Sequence, residues 1–237
     1  MYEFPHYSAP SPATLVDLVR THPFALVISA PPQEGSGSGE TTGAPEATHT
    51  PVILDPTVPV PDSLDGVTLL GHIARVNPQW RAFTPDSRVL IVFSGPDGYV
   101  SPTAYGYNPA VPTWDYAAVH VTARLELVDD PVGCMEIVTK TVTALEDLEV
   151  TQWNPHASTP VFERIVEHVV GFRLHIESTK AVFKLSQDMP ADVRSRVAAA
   201  SRSSTRVHGD LAGFIEVHGP DDGATAPESS TEGRNSR

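Results

Sequence analysis

The sequence predicts a mainly β fold with peripheral helices, an α+β chain organised as an antiparallel barrel. Three observations lead there. Apolar, β-branched segments recur at 24–29, 48–54, 67–73, 88–94 and 114–128, either too short or too strictly alternating for helices. Turn-forming Gly, Pro, Asn and Asp residues separate them. The helical patterns do not alternate regularly with strands, which disfavours a doubly wound sheet.

The elements follow in order. Ser11 supplies an N-cap and Pro12 a first helical position, and Leu15, Val16, Leu18 and Val19 recur at helical spacing, so a helix is expected from Pro12 to about Thr21. Phe24 to Ser29 reads as a buried strand. Residues 31–47, rich in Gly, Ser, Pro and Thr, read as a flexible loop inserted in a hairpin, with Thr48 to Leu54 as the returning strand. Strands at Val67–Ile73 and Arg88–Ser94 flank a short helix near Asn77–Phe83, and Gly95-Pro96 reads as a turn between Ser94 and Ser101. In Trp114–Val128, Val119, Val121, Ala123, Leu125 and Leu127 alternate with His120, Thr122, Arg124 and Glu126, giving one core face and one face toward solvent, a ligand or a partner. Asp130-Pro131 opens a helix carrying Met135, Val138, Val142 and Leu145, followed by an irregular Trp153-Asn154-Pro155 segment. A strand pair, Val169–Glu177 and Ala181–Leu185, completes a sheet of six or seven strands. After Met189-Pro190 a helical pattern carries Val193, Val197 and Ala200. Residues 1–200 are thus expected to form one cofactor-binding domain, 201–218 a C-terminal helical segment, and 219–237 a disordered tail too polar to offset its chain entropy.

Composition narrows the function. With 29 Asp and Glu against 16 Lys and Arg, the formal net charge of −13 repels phosphodiester backbones. Nucleic acid is therefore an improbable partner. The single cysteine, Cys134, excludes an intramolecular disulfide, a zinc knuckle and a CxxC redox pair. The N-terminus lacks a secretory pattern and no apolar run approaches a membrane span of about 20 residues, so a cytoplasmic protein without membrane contact is expected. No HExxH, nucleophile elbow or phosphate-cradling loop occurs; the run Gly35-Ser36-Gly37-Ser38-Gly39 has no following lysine and helix. Hydrolase and kinase chemistry have no support.

Histidines carry the remaining signal. His72 ends an apolar strand in Gly71-His72-Ile73-Ala74-Arg75-Val76-Asn77-Pro78-Gln79-Trp80, just before a helix start, a setting suited to anchoring a planar cofactor. His49 and His120 also fall in strands, so three imidazoles are available to one barrel. Trp80, Tyr99, Tyr105, Trp114 and Tyr116 can wall a flat ring or serve as core.

That stretch, together with Ala47-Thr48-His49-Thr50-Pro51, Phe93-Ser94-Gly95-Pro96, Val100-Ser101-Pro102, Val111-Pro112-Thr113-Trp114 and Phe183-Lys184-Leu185-Ser186-Gln187, resembles the PaiB-type flavin-binding split-barrel proteins over roughly Tyr2 to Ala200. The resemblance implies a flavin-reductase-like split barrel that dimerises with its cofactor at the subunit interface. It points to His72 as a metal ligand and cofactor contact, and to Asn77, Trp80, Ser94, Ser101, Trp114, Lys184 and Gln187 as further cofactor-binding residues. Founding members resemble FMN-binding negative transcriptional regulators, while another branch binds haem b and acts as piperazate synthase. The acidic surface, the Ala, Pro and Val usage and the segment Val182–Asp188 are similar to the second branch; the regulator-like branch would place Trp and Asn at Phe183 and Asp188.

On that resemblance the expected activity is haem-dependent: cyclisation of an N-hydroxylated ornithine, an amino-acid substrate, to a cyclic hydrazine with loss of water. A Lewis acid, ferric haem on His72, polarises the N–O bond while a base takes a proton from the α-ammonium group. Tyr7, His49 and His120 are the candidate bases. The alternative expectation is FMN in a PaiB-type negative transcriptional regulator or a flavin-dependent reductase.

Overall fold

The computed structural model describes residues 1, 4–30, 44–85, 87–151 and 153–218. The expected loop tip at 31–43 and the tail at 219–237 lie outside the described residues. Seven strands, β1 (Phe24–Ser29), β2 (Glu46–Leu54), β3 (Thr68–Ala74), β4 (Arg88–Val100), β5 (Thr113–Val128), β6 (Val169–Lys184) and β7 (Val207–His208), lie in the order β1-β2-β3-β6-β5-β4-β7, and β1 also pairs with β4. That extra pairing closes the first six into a ring. Among the described residues five α-helices accompany them: α1 (Pro12–Thr21), α2 (Pro131–Glu146), α3 (Thr159–Ile165), α4 (Ala191–Ser203) and α5 (Leu211–His218).

The chain divides into two compact units, one holding 9–95 and 118–182, the other 4–8, 96–117 and the chain from 183 onward. In the first, Leu26 of β1 pairs with His49 of β2 and with Val92 of β4, both antiparallel, and β3 pairs antiparallel with β6 over Thr68↔His175 to Ala74↔Val169. Alternate residues fill the barrel: Val27, Leu69, Ile91, Val121, Phe172 and Leu174 are at most 1% exposed. Gly71 is what lets β3 and β6 meet around Phe172, because a Cβ there would lie 2.5 Å from the Phe172 ring. On the outer face Gly171 permits close approach of α2, since a Cβ at 171 would come within 2.8 Å of Ile137. Asp130 caps α2 by accepting from the Gly133 amide at 2.8 Å, and the helix buries Ile137 with Ile53, Leu70 and Val128.

In the second unit, β7 pairs with the outer end of β4 through Asp97↔His208 and Gly98↔Val207. Helices α4 and α5 bury Val197, Ala198, Leu211 and Ala212.

Most element boundaries match the periodicities, with five corrections, one being that β7 lies within 201–218, expected to be helical throughout. β2 begins at Glu46, so the inserted loop ends before residue 47. Gly95-Pro96 is no turn: β4 runs on to Val100, with Pro96 in the interval between the residues paired to β1 and those paired to β7, where its missing amide is tolerated. The expected pair at 169–185 is one strand, because Glu177, Ser178 and Lys180 are polar and exposed yet carry no Gly or Pro to turn the chain. Helix α3 was not anticipated; seven residues are too few to show a period.

Replacing Gly71 with Ala forces its methyl group against a fully buried ring and is expected to cost about 1–3 kcal/mol in urea unfolding, partly recovered when Phe172→Leu is added.

Candidate functional site

Strand alternation sets the site. Leu69, Gly71 and Ile73 point into the barrel, so His72 points outward, opposite Gly171 of β6. Its backbone carbonyl accepts from Thr50 Oγ1 at 2.5 Å. The chain then turns under several tethers. Asn77 Oδ1 accepts from the Gln79 amide at 2.9 Å while its Nδ2 donates to Thr48 Oγ1 at 2.8 Å. Gln79, 2% exposed, donates from Nε2 to the carbonyls of Val27 and Glu46 and to Ser29 Oγ. Trp80 Nε1 donates to the Arg75 carbonyl at 2.8 Å, and the guanidinium groups of Arg75 and Arg81 lie 5.7 and 5.3 Å from its ring. Arg75 is itself bound to Asp129 at 2.5 Å and to the carbonyls of Glu167 and Val169. Asn77 and Trp80 thus hold the turn that follows His72.

His72 opens onto a cleft of about 380 Å³ walled by Val138, Phe162, Ile165, Val166 and Val169. Its Nδ1 is buried and has no hydrogen-bond partner. Burial holds the imidazole below its usual pKa, so it is neutral at pH 7. A buried polar atom left unpaired costs about 1–3 kcal/mol, so His72 carries an unmet hydrogen bond beside the cleft.

His168 lines the same cleft, whereas His49 and His120 do not. His49, exposed on β2, stacks on Phe24 with centroids 5.7 Å apart. His120, half-buried on the outward face of β5, is also lowered by burial. Among the described residues no group of three His, Cys, Asp or Glu is placed to hold a metal. Ser94 is exposed on β4.

The second unit gathers other predicted residues into one cluster. Asp115 is fully buried and accepts from Ser186 Oγ at 2.5 Å and from Lys184 Nζ at 3.4 Å. Lys184 also donates to Thr113 Oγ1 and, at 2.9 Å, to the Trp114 carbonyl, and it lies 5.8 Å from the Tyr7 ring centroid. Burial raises the Asp115 pKa, opposed by Ser186 and Lys184. Tyr7 donates to Asp188 at 3.3 Å, and burial together with the Asp188 charge pushes its pKa up to about 12. Gln187 accepts from the Leu185 amide and donates to the Phe183 carbonyl, bracing the tight bend in which Ser186 adopts φ +56°. Ser101 caps a short turn by accepting from the Thr103 amide and hydroxyl. Trp114 donates to Asp97 at 2.9 Å. Asp115 and the walls of the His72 cleft were not singled out from sequence; of these only Asp115, in phase with the buried residues Ala117, Val119 and Val121 of a long strand, left a readable signal.

Residues 1–178 match the family described as "Putative FMN-binding domain". The chain belongs to that family. Among its relatives, Protease synthase and sporulation protein PAI 2 of Bacillus subtilis is 34% identical over 150 residues, 62% of this chain and 67% of the relative. An uncharacterised Aspergillus fumigatus protein is 28% identical over 200 residues, 64% of this chain and 74% of that one. The crystal structure of a conserved hypothetical protein from Mycobacterium tuberculosis superposes with a TM-score of 0.52 at 12% identity, covering 80% of this chain and 94% of that one, so the two share the fold. The PaiB-type resemblance and its split-barrel fold are thereby established. No helix among the described residues is long and apolar enough to cross a membrane.

Two outcomes follow from this geometry. Lys184→Met leaves the Asp115 carboxylate without its cation and is expected to destabilise by about 3–5 kcal/mol in urea unfolding, with much less loss when Asp115→Leu is added. His72 has a folded pKa below the unfolded 6.5, so its contribution to stability is present above that value and is lost as pH falls below it. Thermal melts of His72→Gln should show a shallower decline over that acid window than the parent, in which His22 and His120 shift in the same direction.

Proposed function

We propose that this protein is an FMN-dependent redox protein whose isoalloxazine ring lies in the cleft at His72. The observation that carries the reading is a cleft of about 380 Å³ lined by His72, whose buried Nδ1 has no partner, in a chain of the FMN-binding family. Val138, Phe162 and Ile165 would shield a flavin ring held there from water, with the neutral His72 imidazole beside it. Bound flavin supplies hydride or single-electron transfer. Use as a reductase is favoured over a DNA-binding regulator by the net charge of −13. A homodimer with the cofactor at the subunit interface belongs to the same proposal.

A second reading has one observation in its favour. An uncharged histidine lining a cleft is also what a haem-iron ligand requires. In that reading haem b would be held by His72 and would supply a Lewis-acid iron for the piperazate synthase-type ring closure, while none of the expected bases Tyr7, His49 and His120 lines the cleft. Lys184 and Gln187, as cofactor contacts, would first have to exchange the bonds they make within the chain.

Purified protein is expected to carry flavin that denaturation releases as FMN, to consume reduced nicotinamide when given an acceptor, and to bind FMN roughly tenfold more weakly as His72→Ala. A Soret band that disappears in His72→Ala, with no flavin released, would overturn the flavin reading for the haem one.

A further inference from the structure

A second cavity, of about 450 Å³, lies in the same unit beside α2, between that helix and the segment 55–61 that joins β2 toward β3. Ile137 lines it while the next residue, Val138, lines the His72 cleft; likewise Leu70 lines it, two residues before His72 on the outer face of β3. Nothing in the flavin or haem reading uses it.

Its construction is specific. Ile53, Leu70, Ile137 and Ala144 make an apolar floor. Above it, Pro56, Pro59 and Pro61 deprive the strap of three amide donors, so it cannot close down as an added strand on β2. Val58 and Val60 at the rim are 55% and 63% exposed. A bridge of 2.7 Å between Lys140 and Asp55, with side chains 18% and 22% exposed, fastens the strap to α2.

The charges around the opening cancel. Arg20, Lys140 and Arg173 face Asp55, Glu136 and Asp147 in the lining, and each of the three cations is already in an ion pair: Arg20 with Asp17 at 2.9 Å, Lys140 with Asp55 and with Glu136 at 2.8 Å, Arg173 with Glu126 at 3.1 Å. A charged ligand would have to break one of these pairs, whereas an uncharged one gains the floor and the two rim valines without disturbing them. A volume of 450 Å³ falls within the range of about 300–1,000 Å³ typical of small-molecule pockets.

We propose that this cavity is a second ligand site, distinct from the His72 cleft, for an uncharged, largely apolar small molecule. Its occupant would touch α2 and β3, the two elements that also line the His72 cleft.

The test is a titration of the full chain with Nile red, a neutral apolar dye, read by fluorescence. Saturable uptake of one dye per chain is expected, lost in Ala144→Trp, which fills the floor, and about tenfold weaker in Leu148→Trp at the exposed rim. Val138→Trp, which fills the His72 cleft instead, should leave uptake unchanged. Uptake lost in Val138→Trp but kept in both other variants would put the dye in the His72 cleft and overturn the proposal. Absence of saturable uptake would overturn it too, as would uptake that appears only when the protein is diluted, the behaviour of a face covered by a second copy. If Ala144→Trp does not fold, Leu148→Trp and Val138→Trp decide between these outcomes.

Discussion

The alternation of β3 between two environments is the constraint on which the rest of this structure depends. A strand sends successive side chains to opposite faces, so filling the barrel with Leu69 and Ile73 commits Leu70, His72 and Ala74 to the outside. Gly71 makes the commitment possible by leaving room for Phe172, and Gly171 brings α2 down on the outer face. The helix that buries Leu70 also walls the cleft onto which His72 opens. Barrel packing and site formation are therefore one event: slipping β3 by a residue would put the imidazole in the core and Ile73 in the cleft.

The same logic explains why the turn after β3 is so heavily tethered. Residues 75–80 leave the barrel and must not drag His72 with them. Gln79 and Asn77 fasten that turn to β1 and β2, and Arg75 fastens it to the end of the helical segment before β6. These side chains look like cofactor contacts in sequence because they are polar or aromatic residues next to a histidine. In the fold they spend their hydrogen bonds on backbone and neighbouring side chains. Lys184 in the second unit behaves similarly, with its ammonium committed to Asp115, Thr113 and Trp114. The charge that a phosphate would seek is answered inside the chain.

Much of the fold was legible where local chemistry and tertiary burial agree. The Ser11 and Asp130 caps located α1 and α2, and strict alternation located β5. Gly95-Pro96 misled because a Gly-Pro pair inside a strand carries the same local signature as a turn. The Glu177–Lys180 stretch misled because exposure, not a reversal, made it polar. His72 stood out through its position at the end of an apolar strand, but the cleft did not. Its walls come from α2 and α3, distant in sequence and individually ordinary apolar residues, and only their convergence gives them meaning. The buried Asp115 was readable as an odd residue in an alternating strand, whereas its pairing with Lys184 and Ser186 is set by where β6 ends.

A flavin bound in the cleft must lie against His72, one of the residues that line it. Imidazole nitrogen NMR of the full chain, with the His72 signal assigned by its absence in His72→Gln, tests this most directly. Saturation with FMN should move the His72 ring resonance while leaving exposed His49 in place. An unmoved His72 signal at saturating FMN would contradict it.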